Sequence, residues 1–383
     1  MKEIRIGILG GRRGSAYYEP IAKTNGFSVV AIADANPRIR EEIREWAGEA
    51  VAVCESLDEM LDVGLDAVIL SNFFHQHAPF AIRAMEAGVD VISETTAAMT
   101  PGECLDLLEC VERTGRRYML AANCPEMIGP GELTRVYQSG EMGEVLYAEA
   151  EYFHPLLTDK EVLSIVPTPE HWRSYLPGIY YNMHSLGVLM ASTGLEPREV
   201  CGMEIATKSC ESRHAGLMKN KSAGGVALYK MDNGSVFRST GWCKMGPDGK
   251  WFRLSCEKGT VETERTNQDR ILLRKNSGET SLYDPMVELT EEEKATGHGG
   301  ADGRTCRRIC QYLAGEREPD FDIYKSVILS LAGIYAHLGN LDGKTYRIPD
   351  VRDKTDREIL RGDDRSPIPN EAGKLTLAYQ KDM

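Results

Sequence analysis

The stretch from residue 1 to Asp34 constrains the fold more than any other part of the chain. An apolar run at residues 4–9 leads into a glycine cluster at residues 10–14, which is typical of a strand buried on both faces and closed by a tight turn. A second apolar run at residues 27–33 ends at Asp34, about 20 residues after the glycines. These residues predict a strand, a glycine turn, a helix and a second strand that ends at an acidic residue. This order is typical of the βαβ unit that binds dinucleotides.

The chemistry of this unit favours NAD. Glycines let backbone N–H groups approach a pyrophosphate, and a carboxylate after the second strand accepts hydrogen bonds from the ribose hydroxyls. Asp34 would repel a 2′-phosphate, so NAD is favoured over NADP. A regular G-x-G-x-x-G would have glycines where Arg12 and Ser15 stand, so an ordinary turn without a ligand is the alternative. The predicted cofactor-binding residues here are Gly10, Gly11, Arg12, Arg13, Ser15 and Asp34.

Length, charge and cysteine usage limit the class of protein. A chain of 383 residues suggests about two domains. The net charge of -13 argues against nucleic acid or an anionic membrane as a partner. Ten cysteines without a C-x-x-C pair read as reduced thiols, which predicts a cytoplasmic protein. No apolar run reaches the roughly 18 residues of a membrane span, and the first strand begins too early for a signal peptide.

Alternating strands and helices continue to residue 121 and predict a Rossmann domain, a doubly wound parallel sheet, over residues 1–124. Further strands are predicted at Val51–Cys54, Leu65–Ser71, Val89–Ser93 and Tyr118–Ala121, and helices at Arg38–Gly48, Ser56–Leu61, Pro79–Ala87 and Pro101–Gly115. Ser56 with Glu59 three residues later is a helix-start signal.

After residue 124 the pattern changes to half-buried strands that look antiparallel. It predicts an α+β domain with an open, mainly antiparallel sheet over residues 125–349, and a polar tail over residues 350–383 that is a surface strap or an arm for a partner. The predicted strands are Glu144–His154, Val200–Thr207, Gly225–Met231, Ser235–Cys243, Trp251–Cys256 and Ile271–Arg274, and the helices are Glu132–Gln138, Tyr180–Ser192, Arg304–Ala314 and Tyr324–Leu338. The fold class is therefore α/β.

Ligands of open parallel sheets bind beyond the carboxyl ends of the strands, and polar residues stand at three such ends. Asn72, His77, Glu94 and Asn123 are predicted to bind the cofactor, with a helix-capping role as the alternative for His77. A carboxylate such as Glu94 is costly in this crevice unless it binds a partner.

A second group of candidate residues lies after residue 170. Tyr181 and His184 are three residues apart, so a helix would place phenol and imidazole together as a relay for a hydroxyl proton. The alternative is a Tyr/His pair packed between helix and sheet.

Two further clusters are candidates for binding substrate. His171, Trp172 and Arg173 would offer a stacking surface and a cation to a sugar ring, or line a domain seam. His298 and Asp302 stand in a glycine-rich stretch, for which a flexible loop without a ligand is the alternative interpretation. No metal-ligand spacing and no G-x-S-x-G motif occurs, which predicts a metal-free site and argues against a serine hydrolase.

The chain resembles the Gfo/Idh/MocA family of glucose-fructose oxidoreductases and inositol dehydrogenases over nearly its whole length. The resemblance rests on the glycine turn with Asp34, the run "AIRAMEAGVDVISE", the strand exit at Glu94, "SGEMGEVLYAEAEYFH", and His184 after Gly178. It implies NAD(P)-linked redox chemistry on sugars or cyclitols, and a homo-oligomer, a dimer or tetramer, formed through the sheet of the second domain.

The sequence departs from the family at one strand exit. The family usually carries Glu-Lys-Pro there, and its lysine assists proton transfer, whereas this chain has Glu94, Thr95 and Thr96. Thr95 is no base at neutral pH, so proton transfer would shift to His184 with Tyr181, and Thr95 becomes a candidate for substrate binding.

The motifs "ETTAAMT", "NCPE", "HWR", "YYNMHSLG" and "GHGGAD" resemble a branch that includes NAD-dependent glycoside hydrolases. In those enzymes transient oxidation at C3 acidifies the C2 proton, the aglycone is eliminated, water adds and the hydride returns. Tyr181 and His184 match the branch, while Pro125 and Glu126 occupy the place of another expected tyrosine, and Glu126 is a candidate second base. Three functions follow: a carbohydrate oxidoreductase, an NAD-dependent glycosidase, and a non-catalytic dinucleotide-binding protein.

Overall fold

The computed structural model describes residues 3–156, 158–206, 218–370, 373 and 375–377. The chain divides into two compact units. Residues 1–126 and 288–327 form the first, and residues 127–287 and 328–383 form the second.

The first unit contains a six-stranded parallel sheet with the strand order β3-β2-β1-β4-β5-β6. This is the predicted doubly wound sheet, and its apolar strands are buried because helices cover both faces. The strands are β1 (Ile4–Leu9), β2 (Phe27–Ala33), β3 (Ala52–Cys54), β4 (Ala67–Leu70), β5 (Asp90–Ser93) and β6 (Tyr118–Leu120).

The second unit is built on a nine-stranded sheet in the order β14-β13-β12-β11-β7-β10-β9-β8-β15. Its neighbours pair antiparallel except β7 with β10, which confirms the prediction of an α/β fold with a mainly antiparallel second sheet. The strands are β7 (Val145–Phe153), β8 (Pro197–Ile205), β9 (Gly224–Met231), β10 (Val236–Thr240), β11 (Gly249–Cys256), β12 (Gly259–Thr263), β13 (Ile271–Lys275), β14 (Thr280–Tyr283) and β15 (Tyr346–Arg347).

Helices and short turns complete both units. The helices are α1 (Gly11–Ala22), α2 (Pro37–Trp46), α3 (Leu57–Asp62), α4 (His77–Glu86), α5 (Pro101–Thr114), α6 (Ile128–Gln138), α7 (Asp159–Ile165), α8 (Trp172–Tyr175), α9 (Val188–Thr193), α10 (Glu291–Lys294), α11 (Ala301–Leu313) and α12 (Ile323–Asp342). Ser56 caps α3 by accepting a hydrogen bond from the Glu59 N–H, as its spacing predicts. Among the described residues, no helix is long and apolar enough to span a bilayer.

The domain assignment from sequence differs from the structure for residues 288–327. These residues were predicted in the second domain, but α11 packs against α1 in the first unit. The physical reason is that Cys306, Ile309 and Leu313 on α11 join the hydrophobic core of β1 and α1. The observed boundary after Glu126 lies close to the predicted one after residue 124.

One helix of the predicted second domain differs in detail, and the predicted tail contacts the second unit. The helix predicted over Tyr180–Ser192 is a 3₁₀ turn (Gly178–Tyr180), a π-helical turn (Met183–Gly187) and α9. In the described part of the predicted tail, the Arg352 guanidinium binds both carboxylate oxygens of Glu196 at 2.8 Å. Thr207 at the end of a predicted strand, and residues 371, 372, 374 and 378–383 of the tail, lie outside the described residues.

Candidate functional site

The glycine turn after β1 adopts a backbone that other residues would disturb. Gly10 has a φ of 96°, and a Cβ there would lie 2.7 Å from the backbone nitrogen of Asn72. A Cβ on Gly14 would lie 2.5 Å from Cγ2 of Ile8. These glycines therefore allow the sharp turn from β1 into α1 and the close packing of that helix on the strand.

Asp34 lies at the end of β2, next to the first turn of α1. Its Oδ2 atom accepts a hydrogen bond of 2.9 Å from the Gly11 N–H, and its Oδ1 atom accepts one of 2.9 Å from the Asn36 N–H. The carboxylate is therefore held at the strand end where the sequence places a ribose ligand. Each oxygen keeps a further lone pair for a hydroxyl donor.

Arg13 is the centre of a charged cluster in the first unit. Its Nε donates to Oε1 of Glu94 at 2.6 Å, while its two terminal nitrogens donate to the carboxylate of Asp302 at 3.2 and 3.0 Å. The Tyr17 hydroxyl donates to the same Oε1 atom of Glu94 at 2.5 Å. Helix α1 is thus joined to the exit of β5 and to the first turn of α11.

Two further residues belong to this cluster. The Asn123 amide donates to Oδ1 of Asp302 at 3.1 Å, and the His298 imidazole Nδ1 lies 2.9 Å from Oδ2. His298 has a φ of 56°, which directs its half-exposed ring onto a carboxylate that is only 3% exposed. We call this cluster the Arg13 network; its members are Arg13, Tyr17, Glu94, Asn123, His298 and Asp302.

The Arg13 network shifts the acidity of its members. Burial opposes ionisation of Glu94, but the charge of Arg13 and hydrogen bonds from Tyr17 and Arg13 lower its pKa. The pKa of Asp302 is likewise lowered against burial by hydrogen bonds from His298 and Arg13. Burial and the charge of Glu94 raise the pKa of Tyr17 well above its ordinary value. Both carboxylates are therefore ionised and Tyr17 is neutral at physiological pH.

His77 is placed behind the exit of β5. The side chain is 1% exposed, and its Nδ1 lies 2.9 Å from the carbonyl oxygen of Thr96. Burial lowers the pKa of His77, so the imidazole is neutral. It holds the backbone of the strand exit, and Thr95 and Thr96 there are buried and joined by a cis peptide bond.

Glu126 is buried and bound to two arginines of α11. Its Oε1 lies 3.1 Å from Nε of Arg308, and its Oε2 lies 3.8 Å from Nε of Arg304. The prediction that Glu126 points into a cleft as a free base therefore does not fit this placement. The two ion pairs join the turn Cys124–Glu126 to α11, so Glu126 has a structural role instead.

Tyr181 and His184 lie together in the second unit. The Tyr181 hydroxyl is 3.1 Å from Nε2 of His184, and their ring centroids are 5.0 Å apart. The Tyr152 ring lies 4.8 Å from the His184 ring, and the Trp242 ring lies 6.2 Å from Tyr181. Phenol and imidazole are thus within hydrogen-bond distance in an aromatic environment.

Close backbone packing positions this pair. The Trp242 N–H donates to the Gly178 carbonyl at 2.8 Å, and a Cβ on Gly178 would lie 2.5 Å from the Trp242 carbonyl oxygen. The buried Asn182 amide donates to the Leu329 carbonyl at 3.3 Å. The segment before His184 is therefore fixed against the residues that follow β10 and against α12.

The predicted His171–Trp172–Arg173 triplet forms local contacts at the start of α8. The Arg173 guanidinium stacks 4.7 Å from the Trp172 ring, and the His171 ring lies 5.5 Å from that of Trp172. Trp172 is buried. The Arg173 guanidinium itself lies over the ring, and contact of this triplet with a sugar stays a prediction.

Sequence reasoning missed three residues of these clusters. Tyr17 lies four residues after Arg13, a helical spacing that could have indicated contact. Tyr152 lies on β7 and Trp242 follows β10, and only the fold brings them to His184 and Tyr181 respectively. No group of metal-ligating side chains occurs among the described residues.

Comparison with known proteins identifies the class of the first unit. Residues 4–122 match the family Gfo/Idh/MocA, described as an oxidoreductase family with an NAD-binding Rossmann fold. This part of the chain is therefore an NAD-binding Rossmann domain, and the predicted resemblance and cofactor are confirmed for it.

Curated relatives match about half of the chain in sequence. A glycosyl hydrolase family 109 protein of Shewanella pealeana is 29% identical over 204 residues, which cover 49% of this chain and 44% of that protein. An alpha-N-acetylgalactosaminidase of Shewanella oneidensis is 31% identical over 203 residues, which cover 49% of this chain and 43% of that protein. The chain spans about half the length of the curated relatives it matches.

Solved structures extend the likeness in fold to most of the chain. An oxidoreductase from Agrobacterium radiobacter in complex with NAD+ has a TM-score of 0.75 at 13% identity, covering 90% of this chain and 98% of that one. A scyllo-inositol dehydrogenase from Lactobacillus casei with bound NAD(H) has a TM-score of 0.70 at 16% identity, covering 92% of this chain and 100% of that one. These likenesses concern the fold.

Proposed function

We propose that this protein is an NAD-dependent oxidoreductase that transfers a hydride between NAD and a hydroxyl-bearing carbon of a carbohydrate. The observation that carries the proposal is the 3.1 Å contact between the Tyr181 hydroxyl and the His184 imidazole. Oxidation of an alcohol must release the hydroxyl proton, and a phenol paired with an imidazole can accept and relay it. Hydride acceptance is the chemistry that NAD supplies when bound.

The described residues of the first unit fit a dinucleotide. The buried Oδ1 atoms of Asn72 and Asn123 have no hydrogen-bond partner among them, so each can accept one from a ligand. The first turn of α1 carries no acidic residue, and the Asp34 carboxylate occupies the N–H of Gly11 at its start. The residues that would hold NAD are Gly10, Gly11, Arg12, Asp34, Asn72 and Asn123.

Four other predicted cofactor residues act on the protein itself. Arg13 and Glu94 bind each other within the Arg13 network, and His77 holds the backbone of Thr96. Ser15 donates from its Oγ to the Arg12 carbonyl at 2.9 Å. We propose that these four residues position the cofactor site.

A second candidate function is net cleavage of a glycoside through transient oxidation of the sugar. Thr95 stands where the family usually has its lysine, and relatives named as glycosyl hydrolases of family 109 support this reading. In both functions Tyr181 and His184 handle the proton of the oxidised hydroxyl. Thr95, His171, Trp172, Arg173 and His298 are proposed to contact the sugar, while the nearly inaccessible Asp302 orients His298.

One experiment distinguishes these functions. The purified protein is loaded with NAD and offered a panel of free sugars and a matched panel of aryl glycosides. Accumulating NADH with free sugars supports the oxidoreductase, and aglycone release without net NADH supports the glycosidase. NAD binding without either reaction would leave a dinucleotide-binding protein and contradict both candidate functions.

The preference for NAD over NADP is tested separately. Asp34 is proposed to bind the ribose hydroxyls and to repel a 2′-phosphate. We expect tighter binding of NAD than of NADP by calorimetry, and an Asp34→Ser variant should narrow the difference. Tighter binding of NADP to the unchanged protein would contradict this role.

We further propose a cytoplasmic homo-oligomer. The described cysteines are free thiols, which supports a reducing compartment. One face of the second sheet carries exposed Met203, Leu228 and Val236, which the strand register places on the same side. A second copy of the chain is the proposed partner of this face.

A further inference from the structure

The two neighbouring arginines of the glycine turn have different surroundings. All three nitrogens of the Arg13 side chain donate to acceptors within the Arg13 network. The Arg12 side chain is exposed, and no described residue forms a hydrogen bond or ion pair with its guanidinium. Arg12 therefore presents a cation whose hydrogen-bonding capacity is unused by the described part of the protein.

The charge of Arg12 lies in the first turn of α1. The Asp34 carboxylate binds the backbone N–H of Gly11 and forms no ion pair with Arg12 in the described structure. The guanidinium charge thus adds to the partial positive charge of the helix N-terminus. Both favour an anion at this position.

Arg12 also stands where a regular fingerprint has its second glycine, which allows a close approach of backbone to pyrophosphate. A side chain at this position limits that approach. A guanidinium can compensate because its planar donors bind phosphate oxygens in pairs.

We propose that Arg12 binds the pyrophosphate of the dinucleotide and replaces the missing glycine contact with a charged one. The inference rests on the proposed binding of NAD and goes beyond it by giving two adjacent arginines different roles. Arg12 contacts the ligand, whereas Arg13 contacts only the protein.

The test measures binding without turnover. Calorimetric titrations with NAD, ADP-ribose, adenosine and NADP are carried out on the unchanged protein and on Arg12→Ala, Arg12→Lys and Arg38→Ala at several NaCl concentrations. Arg38 is an exposed arginine of α2 and serves as the matched control. Thermal unfolding confirms that each variant is folded.

We expect Arg12→Ala to lower the affinity for NAD and for ADP-ribose by about 10- to 100-fold, which is the contribution typical of a charge-assisted hydrogen bond. Adenosine, which lacks phosphate, should bind unchanged, and the dependence of NAD affinity on salt should become shallower. Arg12→Lys should restore part of the affinity because it keeps the charge. Arg38→Ala should match the unchanged protein.

Other results overturn the inference in distinguishable ways. Equal NAD affinity in Arg12→Ala and the unchanged protein would remove Arg12 from the phosphate site while leaving the proposed function intact. A loss of affinity for NADP alone would indicate that Arg12 binds the 2′-phosphate instead of the pyrophosphate. Absence of NAD binding by the unchanged protein would contradict the proposed function and this inference together.

Discussion

In the proposed function the chemistry depends on Tyr181 and His184. Their 3.1 Å contact joins two groups that can exchange a proton, and the Tyr152 ring packs against the imidazole. Thr95 offers no base where the family usually carries lysine. We therefore propose that Tyr181 and His184 transfer the proton.

Replacing the Tyr181 hydroxyl tests this assignment. We expect Tyr181→Phe to lower turnover about 100- to 10,000-fold, because a general base is lost while the ring remains. NAD affinity should not change. The measurement is steady-state kinetics together with calorimetric binding of NAD, and Tyr147→Phe on β7 is the control. Turnover within a few-fold of the unchanged protein would assign the proton to another group.

Arg13 has a different task, since it neutralises two carboxylates in the first unit. Arg13→Ala leaves the buried Asp302 without its main cationic partner, and removal of one member of a buried ion pair costs about 3 kcal/mol or more. Urea unfolding should show this loss in the free energy of unfolding. Arg13→Lys should recover only part of it, because an ammonium cannot reproduce the bidentate contact. Equal stability of all three proteins would contradict the role of the network.

The pKa shifts of the network give this stability a pH dependence. The pKa values of Glu94 and Asp302 are lower in the folded protein than in the unfolded chain. Their contribution is therefore present above the unfolded values of about 4 and is lost as the pH falls below them. Urea unfolding between neutral and acidic pH should show a steeper loss in the unchanged protein than in Arg13→Ala. Parallel pH profiles would contradict the shifts.

At the scale of elements, the sequence predicts what is local. The apolar runs and glycines predict β1, α1 and β2, because strand burial and turn geometry depend on neighbouring residues. Ser56 and Glu59 predict the start of α3 in the same way. The candidate Tyr181–His184 pair follows from spacing, although a π-helical turn replaces the expected regular helix.

What the sequence cannot predict depends on distant residues. Asp302 binds Arg13 from 289 positions along the chain, and residues 288–327 return to the first unit. Helix α11 is amphipathic, but its pattern does not reveal which core covers its apolar face. The arginine partners of Glu126 were missed for the same reason.

The turn before His184 provides a test at this scale. A Cβ on Gly178 would meet the backbone of Trp242 and Gly224, so Gly178→Ala should displace the segment that carries Tyr181. We expect a loss of about 1–3 kcal/mol of stability, together with reduced turnover and unchanged NAD affinity. Gly249→Ala is the matched control because no atom lies within 4 Å of its added Cβ. Equal stability and turnover in both variants would show that the close packing is unimportant.

At the scale of the whole molecule, the exposed face of the second sheet predicts assembly. Met203 is 78% exposed and Leu228 44%, and both point to the same side. Leu228→Glu should lower the molar mass measured by light scattering toward that of one chain, because a buried charge opposes association. Ile359→Glu, at an exposed position in the turn Asp356–Leu360, should keep the mass unchanged. A monomeric unchanged protein would contradict the proposed assembly.

In the proposed reaction the NAD-binding domain belongs to the first unit, and the proposed proton-transfer residues Tyr181 and His184 belong to the second. The two catalytic functions differ in whether the hydride is kept or returned, but share this division of tasks. His184 can therefore be tested without knowing the net reaction.

The most direct measurement is rapid mixing of NAD-loaded protein with its best carbohydrate or glycoside, following reduced nicotinamide and aglycone together. We predict that the unchanged protein forms one of these products, and that His184→Ala forms neither although it binds NAD with unchanged affinity. Product formation by His184→Ala at the rate of the unchanged protein would contradict the account.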